Sequence, residues 1–333
     1  MNVFEIREPG SITGLRPATR ETPVPGPGQV VVEMKAASLN FRDLLILKGQ
    51  YPNLRLPVIP LSDGAGTVIA TGPGVSRVGV GDRVAGIFNQ NWIDGPPPRR
   101  ALALGGDRDG VLSEQLLLPE EGVVKIPPAL SFEEAATLPC AAVTAWNALF
   151  VSGHLRPGQT VLILGTGGVS LFALQFAKMA GARVIVTSSS DSKLEKAARL
   201  GADEGINYRT RPEWDREVLA RTDGEGVDLT VEVGGAGTLS RSLACTRPGG
   251  LVAVIGVLSG GQAEIPVFPL LSKQLRLQGI YVGSRAHFEA MLGAIVQNGL
   301  HPVIDRVLPF EEAPEAFRAM EQGNFTGKIC LRF

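Results

Sequence analysis

Histidine and cysteine are scarce in this chain, three of each in 333 residues, and neither is clustered. Cys140, Cys245 and Cys330 lie too far apart for a C-x-x-C pair, and His154, His287 and His301 are equally scattered. No local metal-ligand spacing exists, so a His/Cys metal site would have to be assembled by long-range folding. The cysteines read instead as buried thiols. Charge of one sign is also missing: 32 Lys and Arg against 33 Asp and Glu leave a net charge of −1. Nucleic acid demands a concentrated basic face, and nothing here supplies one. No stretch approaches the roughly 18 to 20 apolar residues needed to span a bilayer, and the opening residues lack a signal-peptide pattern. The expectation is a cytoplasmic protein with neither nucleic acid nor membrane as partner.

What is present is an apolar run that ends in glycines, Val161-Leu-Ile-Leu-Gly-Thr-Gly-Gly-Val-Ser170, followed at once by the helix-like Leu171-Phe-Ala-Leu-Gln-Phe-Ala-Lys-Met179. Strand, tight turn and helix in this order suit a dinucleotide pyrophosphate, whose charge meets free N–H groups and the positive end of the helix. Gly165 and Gly167 fill the first two places of the G-x-G-x-x-G fingerprint, and Ser170 stands at the third. Gly165, Thr166, Gly167, Gly168 and Val169 are therefore candidate cofactor-binding residues. Further apolar runs follow at 181–187, 227–233, 250–256 and 275–282, with the helix-like 194–200 among them. Their repetition predicts a doubly wound domain with a parallel sheet, its strands buried on both faces.

The first 128 residues differ, with short alternating runs such as Gln29-Val-Val-Val-Glu-Met-Lys35 broken by proline and glycine. They predict β-rich, strongly turned structure. Residues 89–109, with Pro96-Pro-Pro98 and little apolar patterning, read as a long surface loop or lid in which Trp92 covers a substrate site. Ser131-Phe-Glu-Glu-Ala-Ala136 opens a helix with a cap ahead of acidic residues. Beyond residue 284 a helix, a strand, a second helix and a final strand are expected, and that last strand needs an edge to pair with.

Read together, Pro25-Gly-Pro-Gly-Gln-Val-Val-Val32, Ala37-Ser-Leu-Asn-Phe-Arg-Asp43, Gly64-Ala-Gly66, Val80-Gly-Asp-Arg-Val84, Thr137-Leu-Pro-Cys-Ala-Ala-Val-Thr-Ala145, the glycine loop and Leu200-Gly-Ala-Asp-Glu-Gly-Ile-Asn-Tyr208 resemble the medium-chain dehydrogenase/reductase superfamily over nearly the whole chain. The resemblance implies an α/β protein: a GroES-like β-rich catalytic domain (1–128), a Rossmann NADP-binding domain with a six-stranded parallel sheet (129–283), and a C-terminal return to the catalytic domain (284–333). Zinc-using members carry a cysteine where this chain has Asn40 and a histidine where it has Ser62. Neither an amide nor an isolated hydroxyl replaces those ligands, so the pattern is similar to the zinc-independent quinone oxidoreductase-like branch, whose members are often labelled alcohol dehydrogenases.

That branch implies transfer of hydride to a quinone or an α,β-unsaturated carbonyl. An NADP-dependent alcohol dehydrogenase and a non-catalytic, crystallin-like cofactor-binding protein are the alternatives. For the cofactor, an acid that would bind the adenosine ribose is replaced by Thr187-Ser-Ser-Ser190. Hydroxyls of Ser188 and Ser189 with the charge of Lys193 suit a 2′-phosphate, which points to NADPH, and Asp191 then reads as a helix-start residue. By resemblance Tyr208 lies near the adenosine, and Val233, Gly234, Gly256 and Val257 line the cofactor. Asn40 is implied as a donor near the nicotinamide and substrate, Tyr51 as a proton or hydrogen-bond donor, and Thr144 as a nicotinamide neighbour. Each has a plainer reading, as a turn residue, a packing tyrosine and a buried helix hydroxyl respectively. Arg42 and Asp43 either orient this cluster or, in the plainer reading, form a surface ion pair. A homodimer joined through the last Rossmann strand, near 279–282, is also implied.

Overall fold

The computed structural model describes residues 1–52 and 54–333. Strands β1 (Asn2–Ile6) and β2 (Leu15–Thr19) form a separate antiparallel pair, and β3 (Gln29–Ser38) leads through Leu39 and Asn40 into helix α1 (Phe41–Leu47). Strands β4 (Asp63–Thr71), β5 (Arg83–Gly86), β6 (Gln115–Pro119) and β7 (Val123–Lys125) follow, then α2 (Phe132–Ala136). Ser131 caps α2 as its sequence predicts: its Oγ accepts from the Glu134 N–H at 3.1 Å while Glu134 Oε2 accepts from the Ser131 N–H at 2.8 Å. Helix α3 (Val143–Trp146) lies between two π-helical stretches, Leu138–Ala142 and Asn147–Val151.

Parallel β/α units come next: β8 (Thr160–Leu164), α4 (Gly168–Met179), β9 (Arg183–Ser188), α5 (Asp191–Arg199), β10 (Glu204–Asn207), α6 (Trp214–Arg221), β11 (Val227–Glu232), α7 (Leu239–Cys245), β12 (Thr246–Val254), α8 (Val267–Ser272) and β13 (Arg276–Gly279). The chain ends with α9 (Arg285–Asn298), β14 (Ile304–Pro309), α10 (Ala313–Gln322) and β15 (Lys328–Arg332).

Two compact units result. One comprises 1–143 with 283–333, the other 144–282. The second holds the six-stranded, all-parallel sheet in the order β10-β9-β8-β11-β12-β13. Its inner strands are apolar and buried because helices cover both faces, and Leu162, Leu164, Ile185, Ile206, Trp214 and Val218 share one core cluster. Strand β13 departs from the expected full burial: it is short, pairs only with β12, and Arg276, Gln278 and Gly279 are exposed. An edge strand has a partner on one side only, so less of it is covered.

The first unit is built on a mixed sheet in the order β14-β15-β3-β4-β5-β7, with β6 also paired to β3. The terminal strand β15 lies antiparallel to β3, with Cys330 opposite Ser38 and Leu331 opposite Ala37. Residues 89–109 are more packed than a surface lid: Asn89, Gln90, Trp92, Ala103 and Leu104 are buried. The Trp92 indole N–H donates to the Gly95 carbonyl at 2.9 Å and its ring meets His287 edge-on. No helix among the described residues is long and apolar enough to cross a membrane.

Candidate active site

In the parallel-sheet unit the predicted cofactor residues gather at the carboxyl ends of the strands, where a doubly wound sheet binds ligands. The loop after β8 turns at Gly165, whose φ of +75° favours glycine, and the Gly165 N–H donates to the Thr187 carbonyl at 2.8 Å. Gly167 has no such backbone need, since its φ is −80°, and a Cβ there would meet no protein atom within 4 Å. Nothing in the chain demands this glycine, which caps α4 ahead of Gly168 and Val169, and the space beside it is open. Ser170 explains its own departure from the fingerprint: it is buried, and its Oγ donates to the Leu164 carbonyl at 2.7 Å.

Ser188 ends β9 and is buried, Ser189 is half-buried, and Lys193 stands in the first turn of α5. Asp191 begins that helix and accepts from Asn207 Nδ2 at 2.8 Å, so its carboxylate is engaged by a neighbouring amide. Tyr208, half-exposed beyond β10, donates its N–H to the Ser188 carbonyl at 3.0 Å, which brings the two candidate adenosine-end residues together. Val233, Gly234, Gly256 and Val257 follow β11 and β12. Gly256 is required by packing, because a Cβ would come within 2.2 Å of the Val233 carbonyl oxygen. Thr144, in α3, is buried.

Sequence reading missed Glu232, a fully buried carboxylate under this loop cluster. Its Oε1 accepts from the N–H groups of Gly234 (2.7 Å) and Gly235 (3.0 Å) and from Thr238 Oγ1 (2.6 Å), while Ser242 Oγ donates to Oε2. One signal was available: an acid closing a strand predicted to be buried on both faces has to find several donors.

In the other unit Asn40 precedes α1 and is 8% exposed, and its N–H donates to Asp43 Oδ2 at 2.7 Å. Asp43 is not a surface residue: it is fully buried, and Arg42 is half-buried, its guanidinium between the rings of Tyr51 (4.7 Å) and Phe88 (4.8 Å). The apolar residues Leu44, Ile46 and Leu47 draw α1 inward, and its first-turn acid goes with them. Burial pushes the Asp43 carboxyl up to about 7, against the opposing pull of Arg42 and the Asn40 N–H. Tyr51 is half-buried and forms the outer wall of the Arg42 sandwich.

Asp63, at the start of β4, is likewise buried, its Oδ1 taking the Ser62 hydroxyl at 2.7 Å and its Oδ2 the Cys140 N–H at 3.0 Å. Leu61, just before, holds a φ of +69° that only tight packing maintains in a branched residue. Burial raises the Asp63 pKa and the charge of Lys328 opposes it. Lys328, 3% exposed, donates from Nζ to the Leu39 carbonyl at 2.5 Å and to Asn40 Oδ1 at 2.6 Å. The Asn40 amide nitrogen stands near Asp63 and helps hold its charge, yet completes no well-shaped hydrogen bond. Lys328 and Asp63 were not singled out from sequence, since nothing local marks them.

This donor set does not suit a zinc ion. The Asn40 oxygen is already taken by an ammonium, Ser62 is spent on Asp63, and burial pushes the Cys140 thiol well above its ordinary range. Among the described residues no group of three or more His, Cys, Asp or Glu side chains is placed to hold a metal. Cys330 and Cys245 are buried thiols, pushed up by burial to about 11 and about 12.

Comparison with known proteins bears on both units. Residues 26–128 match the alcohol dehydrogenase GroES-like domain family, and residues 168–297 match the zinc-binding dehydrogenase family. A zinc-type alcohol dehydrogenase-like protein of Schizosaccharomyces pombe is 46% identical over 96% of this chain and 95% of its own. The chain belongs to the medium-chain dehydrogenase/reductase superfamily. As a member it is an oxidoreductase of the alcohol dehydrogenase-like type. Among solved structures, a putative alcohol dehydrogenase from Sinorhizobium meliloti 1021 is 43% identical, with a TM-score of 0.93 over 100% of this chain and 99% of that one. An NAD-dependent alcohol dehydrogenase is 36% identical, with a TM-score of 0.93 and 100% of both chains covered. A quinone oxidoreductase from Pseudomonas syringae pv. Tomato DC3000 is 30% identical, with a TM-score of 0.87 over 100% and 99%.

Proposed function

We propose that this chain is a cytoplasmic, metal-independent reductase that uses NADPH to reduce a quinone or an α,β-unsaturated carbonyl compound. The Lys328–Asn40 contact at 2.6 Å carries the reading, because a protein cation and an amide occupy the place in the fold where a catalytic metal would need anionic or imidazole ligands. A reduced nicotinamide, when bound, supplies the hydride. The chain's own residues do the rest. The loop from Gly165 to Val169 receives the pyrophosphate on free N–H groups at the α4 N-terminus. Ser188, Ser189 and Lys193 take the 2′-phosphate, Tyr208 flanks the adenosine, and Val233, Gly234, Gly256 and Val257 form the wall along the cofactor. Asn40 is the amide proposed to stand beside the nicotinamide and the substrate oxygen on which negative charge develops, and Tyr51 delivers a hydrogen bond or proton to the enolate or quinol oxygen. Thr144 contributes its hydroxyl beside the nicotinamide.

The test is NADPH oxidation, with NADH in parallel, against quinones and enones in the presence of a strong chelator. Chelator-resistant turnover preferring NADPH supports the reading. Activity that vanishes on chelation and returns with zinc overturns it in favour of an alcohol dehydrogenase, the activity that the names of several relatives carry and that reversible oxidation of alcohols would reveal. Cofactor binding without turnover of any acceptor would leave a crystallin-like binding protein. A homodimer is part of the same proposal: β13 is an open sheet edge, and Val267, Phe268 and Leu271 of the preceding α8 are exposed at 61%, 78% and 67%. Light scattering that finds a monomer at micromolar concentration counts against it.

A further inference from the structure

We infer that Asn207 is a positioning residue for cofactor choice: it holds the Asp191 carboxylate to one side, so that the end of β9 can receive a 2′-phosphate. The inference rests on the NADPH reading proposed above. In a doubly wound sheet an acid at the end of the second strand accepts from the adenosine ribose, and its charge repels a 2′-phosphate. Strand β9 is the second of this sheet's β/α series and ends at Ser188, and Asp191 is the first acid beyond it, exposed in the first turn of α5. A chain that takes NADPH has to remove such an acid or restrain it, and here the acid is present. Strand β9 lies between β8 and β10. On the β8 side the Gly165 N–H reaches the Thr187 carbonyl at 2.8 Å, and on the β10 side Asn207 stands opposite Ser188. Asn207 Nδ2 donates to Asp191 Oδ1 at 2.8 Å, which ties the carboxylate to the β10 side of β9, the side opposite the glycine turn.

Asn207 is itself fixed. Its Oδ1 accepts from the Arg209 N–H at 3.0 Å, and its carbonyl accepts from the Thr210 hydroxyl at 3.1 Å and from the Arg211 N–H at 2.9 Å. A backbone N–H can only donate, so the amide oxygen is the end that faces Arg209 and the amide nitrogen the end that faces Asp191. Turned over, the amide would set its oxygen against a carboxylate. The contact to Asp191 lies at the surface, so it adds little to the stability of the fold, and its loss leaves a folded protein to measure. What the loss changes is where a full negative charge points. Released, the Asp191 side chain can swing over the end of β9, where it opposes the 2′-phosphate of NADPH and accepts from the ribose hydroxyl of NADH. Removing Asn207 also takes the acceptor from Arg209, and the test has to separate the two effects.

Equilibrium binding of NADPH and of NADH to the full chain, read by fluorescence titration without any acceptor, would be compared for wild type, Asn207→Ala, Asp191→Asn and the double variant. In Asn207→Ala, NADPH is expected to bind about 10-fold more weakly at low salt, and NADH no more weakly than in wild type. At about 0.5 M salt that loss should shrink to about 3-fold or less, because an exposed charge is screened. In the Asp191→Asn background no carboxylate is left to restrain, so adding Asn207→Ala should change the ratio of the two affinities by less than about 2-fold. The same change of ratio in both backgrounds would make Asn207 a builder of the turn after β10 and nothing more, and would overturn the inference. So would an equal loss for both cofactors, or a loss that salt leaves unchanged. A wild-type protein that binds NADPH no better than NADH would instead defeat the 2′-phosphate reading itself, and the inference with it.

Discussion

In the parallel-sheet unit the groups proposed to meet the cofactor are mostly backbone N–H donors at strand ends and at the start of α4, held by local turns. In the other unit the proposed site is built on side chains: Asn40, Asp43, Asp63 and Lys328 are buried together and held by hydrogen bonds and charge. Backbone donors carry no proton that titrates and no bulk that must be balanced, so a glycine turn is robust to pH and fragile only to what fills it. A buried cluster of charges is the reverse: it tolerates no unpaired member, and its stability follows the proton.

The largest way to sharpen that contrast is Asp43→Asn. Burial holds the Asp43 carboxyl at about 7 against an ordinary 3.8, so the folded protein keeps a proton that the unfolded chain releases. Stability from this group is present below about pH 4 and is lost as pH rises to about 7. Asparagine can still accept the Asn40 N–H, and the variant is expected to be more stable than wild type at pH 8, by an amount on the order of 3 to 4 kcal/mol. Urea unfolding at pH 4, 6 and 8 measures it; parallel pH profiles would refute the buried-charge account.

Gly167→Asp probes the other unit. The position is sterically open, so the fold and Tm should survive, while a carboxylate in the pyrophosphate cradle should weaken NADPH by about 100-fold. Fluorescence titration reads this, and unchanged affinity would remove the loop from the cofactor site. Tyr51→Phe follows, with a fall in kcat of about 10-fold and little change in KM for NADPH. A constant kcat would assign the ring to packing against Arg42 alone. The smallest effect belongs to Lys193→Ala, expected to raise KM for NADPH about 5-fold and leave NADH unchanged. Equal effects on both would remove the 2′-phosphate from its role.

Much of the parallel-sheet unit was legible because its signals are local. Apolar runs, glycine turns and a helix cap are set by residues within a few positions of one another, and the loop from Gly165 to Val169 lies at a strand end as its spacing implied. Strand β13 was harder, since its exposure depends on having a neighbour on one side only. In the other unit Asn40 and Tyr51 were visible through a family pattern, while Asp43 read first as a surface charge and only second as a partner of that cluster. Its burial depends on which face of α1 packs inward.

The sequence by itself determined the β/α alternation, the glycine turn, the β-rich and strongly turned character of the first residues and the scarcity of metal-ligating side chains. These follow from backbone geometry and the periodicity of apolar residues, which neighbours along the chain decide. Only the tertiary structure decided that Lys328 meets Asn40, 288 residues away, and that Asp43 and Asp63 are buried beside them. That pairing is made by the register of β15 on β3, and strand register is chosen by the packing of the whole sheet.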